Sequence, residues 1–203
     1  AMKKSSILIL IIICLVGCKK GSNETTITGE IKGLGTDTLY LYGMDELYDR
    51  IDTIYVENDK FSYTTSVDTI TSAYLLLKNR IEYPVFLDKG NKIKIKGDTI
   101  NLNFLTISGN IYNEEFTDFQ KALEDPADPS EKAGEETVDK RITVEKANTA
   151  EEMAEEFILQ HHSSYVSLYL LDKYFVQKET PDFSKIKKLV EVVTGVLQDK
   201  PYI

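Results

Sequence analysis

The chain between Thr25 and Ser108 has the alternating apolar and polar pattern of β-strands. Short runs rich in Ile, Val, Leu, Thr and Tyr recur there, separated by Gly, Asn and Asp. The pattern predicts eight strands, near residues 26–31, 38–41, 53–56, 61–65, 72–77, 85–87, 92–96 and 105–107. Residues 57–59 and 89–91 are predicted hairpin turns, because Gly, Asn and Asp tolerate a positive φ.

Lysine and isoleucine alternate strictly over residues 92–96, which gives this strand one apolar face and one row of lysines. We expect an edge strand of the sheet, because charged side chains protect an exposed edge from pairing with another chain. A basic contact surface is the alternative interpretation.

The apolar spacing becomes helical after Gly109. Tyr112, Phe116 and Phe119 lie on one face of a predicted helix, with Asn110 or Asn113 as its cap. Leu123 continues this face. Residues 124–136 contain two prolines, a glycine and many acids, so they are predicted to form a solvated loop.

The C-terminal third is predicted to form further helices. Thr149 and Glu152 have the spacing of a capping box, and an apolar stripe follows from Met153 to Phe175, interrupted at 161–164. Thr180 and Pro181 are predicted to open a last helix. Its buried face would consist of Phe183, Ile186, Val190, Val193 and Leu197.

These patterns together predict an α+β fold, with an antiparallel β-sandwich or curled sheet of seven or eight strands followed by a helical subdomain. The expected organisation is a signal peptide at 1–17, a lipidated tether at 18–24, a β-rich domain at 25–109 and a helical subdomain at 110–203.

The first eighteen residues resemble a bacterial lipoprotein signal. Lys3 and Lys4 precede an apolar run over residues 7–16, and residues 15–18 read Leu-Val-Gly-Cys, which matches a lipobox. About ten apolar residues are too few to cross a membrane. We therefore expect cleavage before Cys18 and lipidation of its thiol, with an ordinary secretory signal as the alternative. Lys19 after the cysteine favours the outer membrane, facing the periplasm.

Composition limits the partners of the processed chain. Without residues 1–17 it carries 22 basic and 33 acidic side chains, a formal charge of −11. An acidic surface repels phosphate, so no nucleic acid is expected, and membrane attachment would depend on the acyl chains at Cys18. Cys14 would leave with the signal, so the processed chain has no free thiol and no disulfide.

Common catalytic patterns are missing from the sequence. It has no Gly-x-Ser-x-Gly turn and no complete Gly-rich phosphate loop, although its 33 acids leave a glycosidase-like carboxylate pair open. His161 and His162 are adjacent and point about 100° apart on a helix, so we interpret them as a helix-end pair, with zinc as the alternative. No catalytic residue, metal or cofactor is predicted.

Asp followed by Thr recurs at Asp37, Asp52, Asp68 and Asp98. Calcium sites usually draw six to eight oxygens from closely spaced residues, and these spacings are wide. We expect each Asp to close a turn and each Thr to begin a strand.

Twelve tyrosines provide the clearest binding signal. The candidate binding residues are Tyr40, Tyr42, Tyr55, Tyr63 and Tyr74. They can form a platform for a sugar or a protein, or pack their rings against the sheet and keep the hydroxyl hydrated.

Several segments resemble a known family. These are Ile27-Thr28-Gly29-Glu30-Ile31-Lys32-Gly33, then Tyr83-Pro84-Val85-Phe86-Leu87-Asp88-Lys89-Gly90-Asn91, then Ile107-Ser108-Gly109-Asn110, and the helix from Phe157 to Leu171. Over about Thr25 to Phe175 the chain resembles the domain of unknown function 4369 family, the N-terminal module of envelope thiol-disulfide oxidoreductases of the TlpA and AhpC/TSA type. The resemblance implies that redox chemistry belongs to a C-terminal thioredoxin-like domain with Cys-x-x-Cys, so no catalytic residue transfers to this chain.

The function predicted from the sequence is that of a non-catalytic, lipid-anchored envelope module acting by binding or as a spacer. Two alternatives stay open. One is the N-terminal part of a thioredoxin-like oxidoreductase whose catalytic domain is absent from this chain. The other is a carbohydrate-binding module. A protein or glycan partner is compatible with the envelope module and with the carbohydrate-binding module.

Overall fold

A computed structural model describes residues 23–44, 46–124 and 149–198 of the chain. The eight strands are β1 (Glu24–Lys32), β2 (Asp37–Gly43), β3 (Ile51–Glu57), β4 (Lys60–Ser66), β5 (Thr71–Leu76), β6 (Glu82–Leu87), β7 (Lys92–Asp98) and β8 (Thr106–Ser108). Each overlaps one of the eight strands predicted from the apolar alternation. Short 3₁₀ turns at Glu46–Tyr48 and Lys78–Arg80 lie between strands.

The strands follow the order β6-β5-β2-β3-β4-β1-β7-β8. All neighbouring pairs are antiparallel except β1 and β7, which are parallel. The sheet is not closed by hydrogen bonds between β6 and β8, so these two strands are its edges. The predicted α+β class with a sheet of seven or eight strands is confirmed, although the pair of β1 and β7 is parallel and not antiparallel as expected.

One face of the sheet forms the core, because alternate side chains of a strand point to the same side. Its fully buried residues include Ile27, Ile31, Leu39, Leu41, Ile54, Val56, Ala73, Leu75, Val85, Ile93 and Ile95. Burial of each large apolar side chain contributes about 1.5–3 kcal/mol. This inner face is therefore the main source of stability for the sheet.

The helices come after the strands. They are α1 (Ile111–Glu124), α2 (Ala150–Gln160), α3 (Tyr165–Leu171), α4 (Phe183–Val192) and α5 (Gly195–Gln198), with a π-helical turn at Asp172–Val176 directly after α3. Asn110 caps α1, since its Oδ1 accepts from the backbone N of Asn113 at 3.0 Å. The Thr149 and Glu152 capping box and the interruption between α2 and α3 are present as predicted.

Helix α1 spans the opening between the two edge strands. The Asn113 side chain accepts from Phe86 N at 3.0 Å and donates to Phe86 O at 2.8 Å, on β6. The Thr117 hydroxyl accepts from Ile107 N at 2.9 Å and donates to Ile107 O at 3.0 Å, on β8. Two side chains of one helix thus satisfy backbone groups on both edges, which would otherwise be open to pairing.

Some expectations are wrong in detail. The lysine-rich strand β7 is not an edge, because it pairs with both β1 and β8. Gly90 has φ 74° in the turn before it, but β6 and β7 are not paired, so this turn does not make a hairpin. The turn at Asn58 and Asp59 does join paired strands, with φ of 50° and 69°.

The start of α4 also differs from the prediction. Asp182 caps it by accepting from the backbone N of Ser184 and Lys185, and Pro181 lies before that cap. The helix therefore begins later than predicted, because the Asp182 carboxylate satisfies two free N–H groups of the first turn. Phe183 then occupies the first position of the helix, where it is 75% exposed and belongs to no buried face. Leu189, which the spacing did not predict, is buried instead.

The Asp-Thr pairs have different positions in the fold. Asp37 begins β2 and Asp98 ends β7, whereas Asp52 lies inside β3 and not in a turn. Asp68 lies between β4 and β5. Within the described ranges, no three His, Cys, Asp or Glu side chains are grouped as metal ligands would be.

The predicted signal at 1–17, the lipidation residue Cys18, most of the tether at 18–24 and the acidic loop after Glu124 lie outside the described residues. None of the helices described is long and apolar enough to span a membrane.

Candidate functional site

Four of the five candidate tyrosines lie on the outer face of the sheet. Tyr40 and Tyr42 alternate with buried leucines along β2, so their side chains point away from the core. The register places Tyr55 of β3 opposite Thr38, and Tyr74 of β5 opposite Tyr42. Three neighbouring strands therefore contribute tyrosines to one surface.

Part of this surface is open to solvent. Tyr40 is 41% exposed, and Ile51 and Tyr55 are each 73% exposed. Ile51 lies opposite Tyr42 in the pairing of β2 with β3. We refer to Tyr40, Tyr42, Ile51 and Tyr55 as the tyrosine face. A group of exposed apolar side chains on paired strands is typical of an interaction surface.

Tyr42 is fixed in place within this surface. Its hydroxyl donates to the carboxylate of Glu82, and its ring centre lies 5.7 Å from that of Tyr74. Burial, followed by the bond to Glu82, raises the pKa of Tyr42 well above its ordinary value. Tyr74 itself packs edge-to-face against Tyr169 of α3, with ring centres 6.5 Å apart, so its ring is held by the helix and does not form part of an open platform.

Tyr63 lies on the opposite, inner face of the sheet. Burial, together with its hydrogen bond to Asp52, raises the pKa of Tyr63 to about 12. Burial alone would raise the pKa of Asp52, but hydrogen bonds from Tyr48, Tyr63 and Arg50 hold it below its usual value. Tyr63 is therefore part of a half-buried polar cluster and does not belong to the tyrosine face.

This cluster is internally paired. Arg50 Nε lies 3.1 Å from Asp52 Oδ2, and the guanidinium carbon lies 4.6 Å from the centre of the Tyr48 ring. Arg50 also donates to the Ser66 carbonyl at 3.1 Å. A shallow depression of about 470 Å³ beside it is lined by Tyr42, Gly43, Met44, Glu46, Tyr48, Asp49, Arg50 and Ile51. Because the Arg50 charge is already balanced, we assign this cluster a structural role.

A more enclosed cavity of about 120 Å³ lies between the outer face of β5 and helix α3. Its lining includes Met44, Ser72, Tyr74, Tyr169, Asp172 and Gln177. We refer to it as the β5–α3 cavity. It lies next to the tyrosine face, because Tyr74, which lines the cavity, pairs with Tyr42 across the strands.

The π-helical turn places two polar side chains at this cavity. Gln177 N donates to the Asp172 carbonyl at 2.9 Å, the i to i−5 bond that defines such a turn. Gln177 Nε2 donates to Asp172 Oδ2 at 2.6 Å. Burial raises the pKa of Asp172, and this single hydrogen bond offsets only part of the shift. π-Helical turns occur frequently at functional sites.

Sequence reasoning did not identify the residues of this cavity. Ser72 lies in a predicted strand, and nothing in the pattern distinguishes it from other strand serines. Asp172 could have been singled out from the sequence, because it is the one acidic residue in the largely apolar segment from Tyr165 to Phe175. The π-turn that directs it toward β5 has no recognisable sequence pattern.

The two histidines lie at the end of α2. His161 caps the helix, its Nδ1 lies 3.1 Å from the Phe157 carbonyl, and its ring stacks on Phe157 at 4.1 Å. His162 is exposed. Their surroundings are those of a helix end.

Comparison with known proteins gives one match, to a family model that covers the strand region. No curated protein and no solved structure matches the chain. The matched segment begins with β1 and reaches Phe116, so it includes Asn113 and its contacts with Phe86 but excludes α2 to α5. Residues 25–116 match the family described as a domain of unknown function (DUF4369).

Proposed function

We propose that this protein is a non-catalytic, lipid-anchored module of the bacterial cell envelope that binds a partner through its tyrosine face. The observation that carries the binding role is the exposure of Tyr40, Ile51 and Tyr55 on the outer side of β2 and β3. The same side of β5 and β6 is covered, because Tyr74 packs on α3 and Phe86 on α1. The described helices thus cover the outer face at β5 and β6 and leave it uncovered at β2 and β3.

Tyrosine suits such a contact because its ring offers a large apolar area and its hydroxyl keeps a polar partner. The ring of Tyr42 is held by Glu82, so the ligand would meet a partly preorganised surface. Rigid aromatic side chains lose little conformational entropy on binding, which favours affinity.

The envelope location rests on the sequence pattern at residues 15–18 and on the resemblance to envelope modules. Its test is the intact mass of the protein extracted from membranes with detergent. We expect residues from Cys18 onward plus acyl chains, and we expect Cys18→Ser to abolish the acyl mass. An unmodified chain that still carries residues 1–17 would contradict this part of the proposal.

The binding role is tested by photo-crosslinking. A photoreactive phenylalanine analogue placed at position 55 of the full chain, expressed in its envelope, should give a discrete adduct. The matched control places it at position 183, because Phe183 is 75% exposed, close to the 73% of Tyr55, but lies on α4. The adduct at position 55 should disappear when Tyr40→Ala is added. Equal adducts at both positions would contradict a specific role for the tyrosine face.

A carbohydrate is a second candidate ligand, favoured by the exposure of two tyrosines on adjacent paired strands. Tyr40 lies opposite Thr53, so Tyr55, two residues along, is its diagonal neighbour on the same face. Retention on a glycan array should fall about tenfold or more for Tyr40→Ala with Tyr55→Ala, and not for Phe183→Ala. Unchanged retention in the double variant would exclude the glycan.

A further inference from the structure

We propose that the β5–α3 cavity binds the primary ammonium group of a small molecule, held between the Asp172 carboxylate, the Ser72 hydroxyl and the rings of Tyr74 and Tyr169. The residues that line this cavity are not those of the tyrosine face, so this proposal does not depend on the proposed function.

Ser72 supplies the first observation. Its side chain is 1% exposed, and its Oγ has no hydrogen-bond partner within the described part of the chain. Buried hydroxyls nearly always have a partner. The Ser72 backbone is already used, since its carbonyl accepts from Met44 N at 3.1 Å. Ser72 is one of the residues that line the cavity, and its hydroxyl keeps unused lone pairs for a ligand N–H.

Asp172 supplies the charge. Its carboxylate accepts one hydrogen bond from Gln177, and no Lys, Arg or His of residues 23–44, 46–124 and 149–198 forms an ion pair with it. The neighbouring Lys173 forms no ion pair with Asp172; its Nζ lies 5.4 Å from the centre of the Tyr169 ring and 5.5 Å from that of Tyr174. A partly buried carboxylate without a cation is costly, and a bound ammonium would compensate it.

Aromatic rings complete the recognition of a cation. Tyr74 and Tyr169 line the cavity with their ring centres 6.5 Å apart and their planes at 67°. The two rings are in edge-to-face contact, so a cation would lie against a ring face that borders the cavity and not between the rings. The faces of aromatic rings attract cations. An alcohol would gain the hydrogen bonds without the charge, and an anion would be repelled by Asp172.

The size of the cavity limits what it can take. A volume of about 120 Å³ is well below the roughly 300–1,000 Å³ of pockets that enclose drug-sized ligands. It suits an ammonium group with its first carbons. The remainder of a longer ligand would extend outside.

The experiment is a titration of the ¹⁵N-labelled full chain, followed by amide chemical shifts. Ethylammonium chloride should shift residues 72, 74, 172 and 177 with a millimolar Kd, the range expected for so small a ligand. Ethanol and acetate are the neutral and anionic controls. The ammonium group could come from a free alkylamine or from a lysine side chain, and N-acetyl-lysine methylamide represents the second source. Binding of either amine supports the site, and the amine that binds more tightly identifies the source.

Two variants separate binding from folding. Asp172→Asn should weaken ethylammonium binding about tenfold or more, whereas Asp118→Asn, an exposed acid on α1, should leave it unchanged. Ser72→Ala should weaken binding and raise Tm by about 2–4 °C, because it removes a buried hydroxyl without a partner. Equal shifts with ethanol, or equal affinity in Asp172→Asn and Asp118→Asn, would overturn the proposal.

Discussion

The side chain of Asn113 pairs with both backbone groups of Phe86, as a neighbouring strand would do. A carboxamide has the donor and acceptor arrangement of a peptide group, so Asn113 acts as one residue of an additional strand beside β6. Asn113 is 1% exposed, and the bonds are therefore shielded from water. At this point the edge strand β6 depends on α1 for hydrogen bonds that a further strand would otherwise make.

We expect Asn113→Ala to destabilise the protein by about 1–3 kcal/mol, because it leaves the buried N–H of Phe86 without its partner, whereas the Phe86 carbonyl keeps the hydrogen bond from Asn110 Nδ2. Urea unfolding of the variant and the parent measures the difference. Asn101→Ala is the control, since the Asn101 side chain is exposed, and it should cost no more than about 0.5 kcal/mol. Similar losses for the two variants would show that Asn113 has no special role.

Thr117→Val tests the other edge. Valine has nearly the shape of threonine, so the change removes the two hydrogen bonds to Ile107 and little else. We expect a loss of about 1–3 kcal/mol, against about 0.5 kcal/mol or less for the exposed Thr106→Val. Hydrogen exchange should rise most at the amide of residue 107. Protection that is unchanged there would contradict the assigned contact.

Glycine substitutions should differ according to their surroundings. Gly35 has φ 72°, and a Cβ added there would have no heavy atom within 4 Å, so Gly35→Ala should cost only the left-handed conformation, about 1–2 kcal/mol. Gly109 has φ 113°, and an added Cβ would lie 2.3 Å from the Lys92 carbonyl oxygen. Because the backbone cannot move aside easily, Gly109→Ala should cost at least about 2 kcal/mol more than Gly35→Ala. Thermal unfolding of both variants compares the two costs, and equal losses would contradict the close approach.

Two aspartates should give opposite pH effects on stability. The pKa of Asp52 is lowered in the fold, so its contribution is present above the ordinary value of 3.8 and is lost as the pH falls below it. The pKa of Asp172 is raised, so its ionisation opposes folding above 3.8. At pH 7 we expect Asp52→Asn to lower Tm and Asp172→Asn to raise it. Both differences should shrink as the pH is taken below about 3.8, and effects of the same sign for the two variants would be inconsistent with these shifts.

The sequence predicted the strands well because their alternation is a local property. Ile27, Ile54 and Ile93 each follow the period of two that a half-buried strand requires, and all three are buried. The caps at Thr149 and Asn110 were also predictable, since a cap depends on residues within one turn of the helix.

The order of the strands could not be predicted in the same way. Nothing near Lys94 indicates that β7 lies between β1 and β8, because β1 precedes it by more than sixty residues. A row of lysines favours an edge strand, but here it reflects only an outer face exposed to solvent. The β5–α3 cavity was missed for a similar reason, because it needs the contact between a strand and a distant π-turn.

The position of β1 determines how the protein would respond to mechanical force. β1 lies between β4 and β7 and is hydrogen-bonded to both along most of its length. A pull on the chain ahead of Glu24 acts along the strand, so it would load both hydrogen-bond ladders in shear and could not peel them open one bond at a time. A sheet held at this strand would therefore resist tension from its N-terminal side far better than a sheet held by an edge strand.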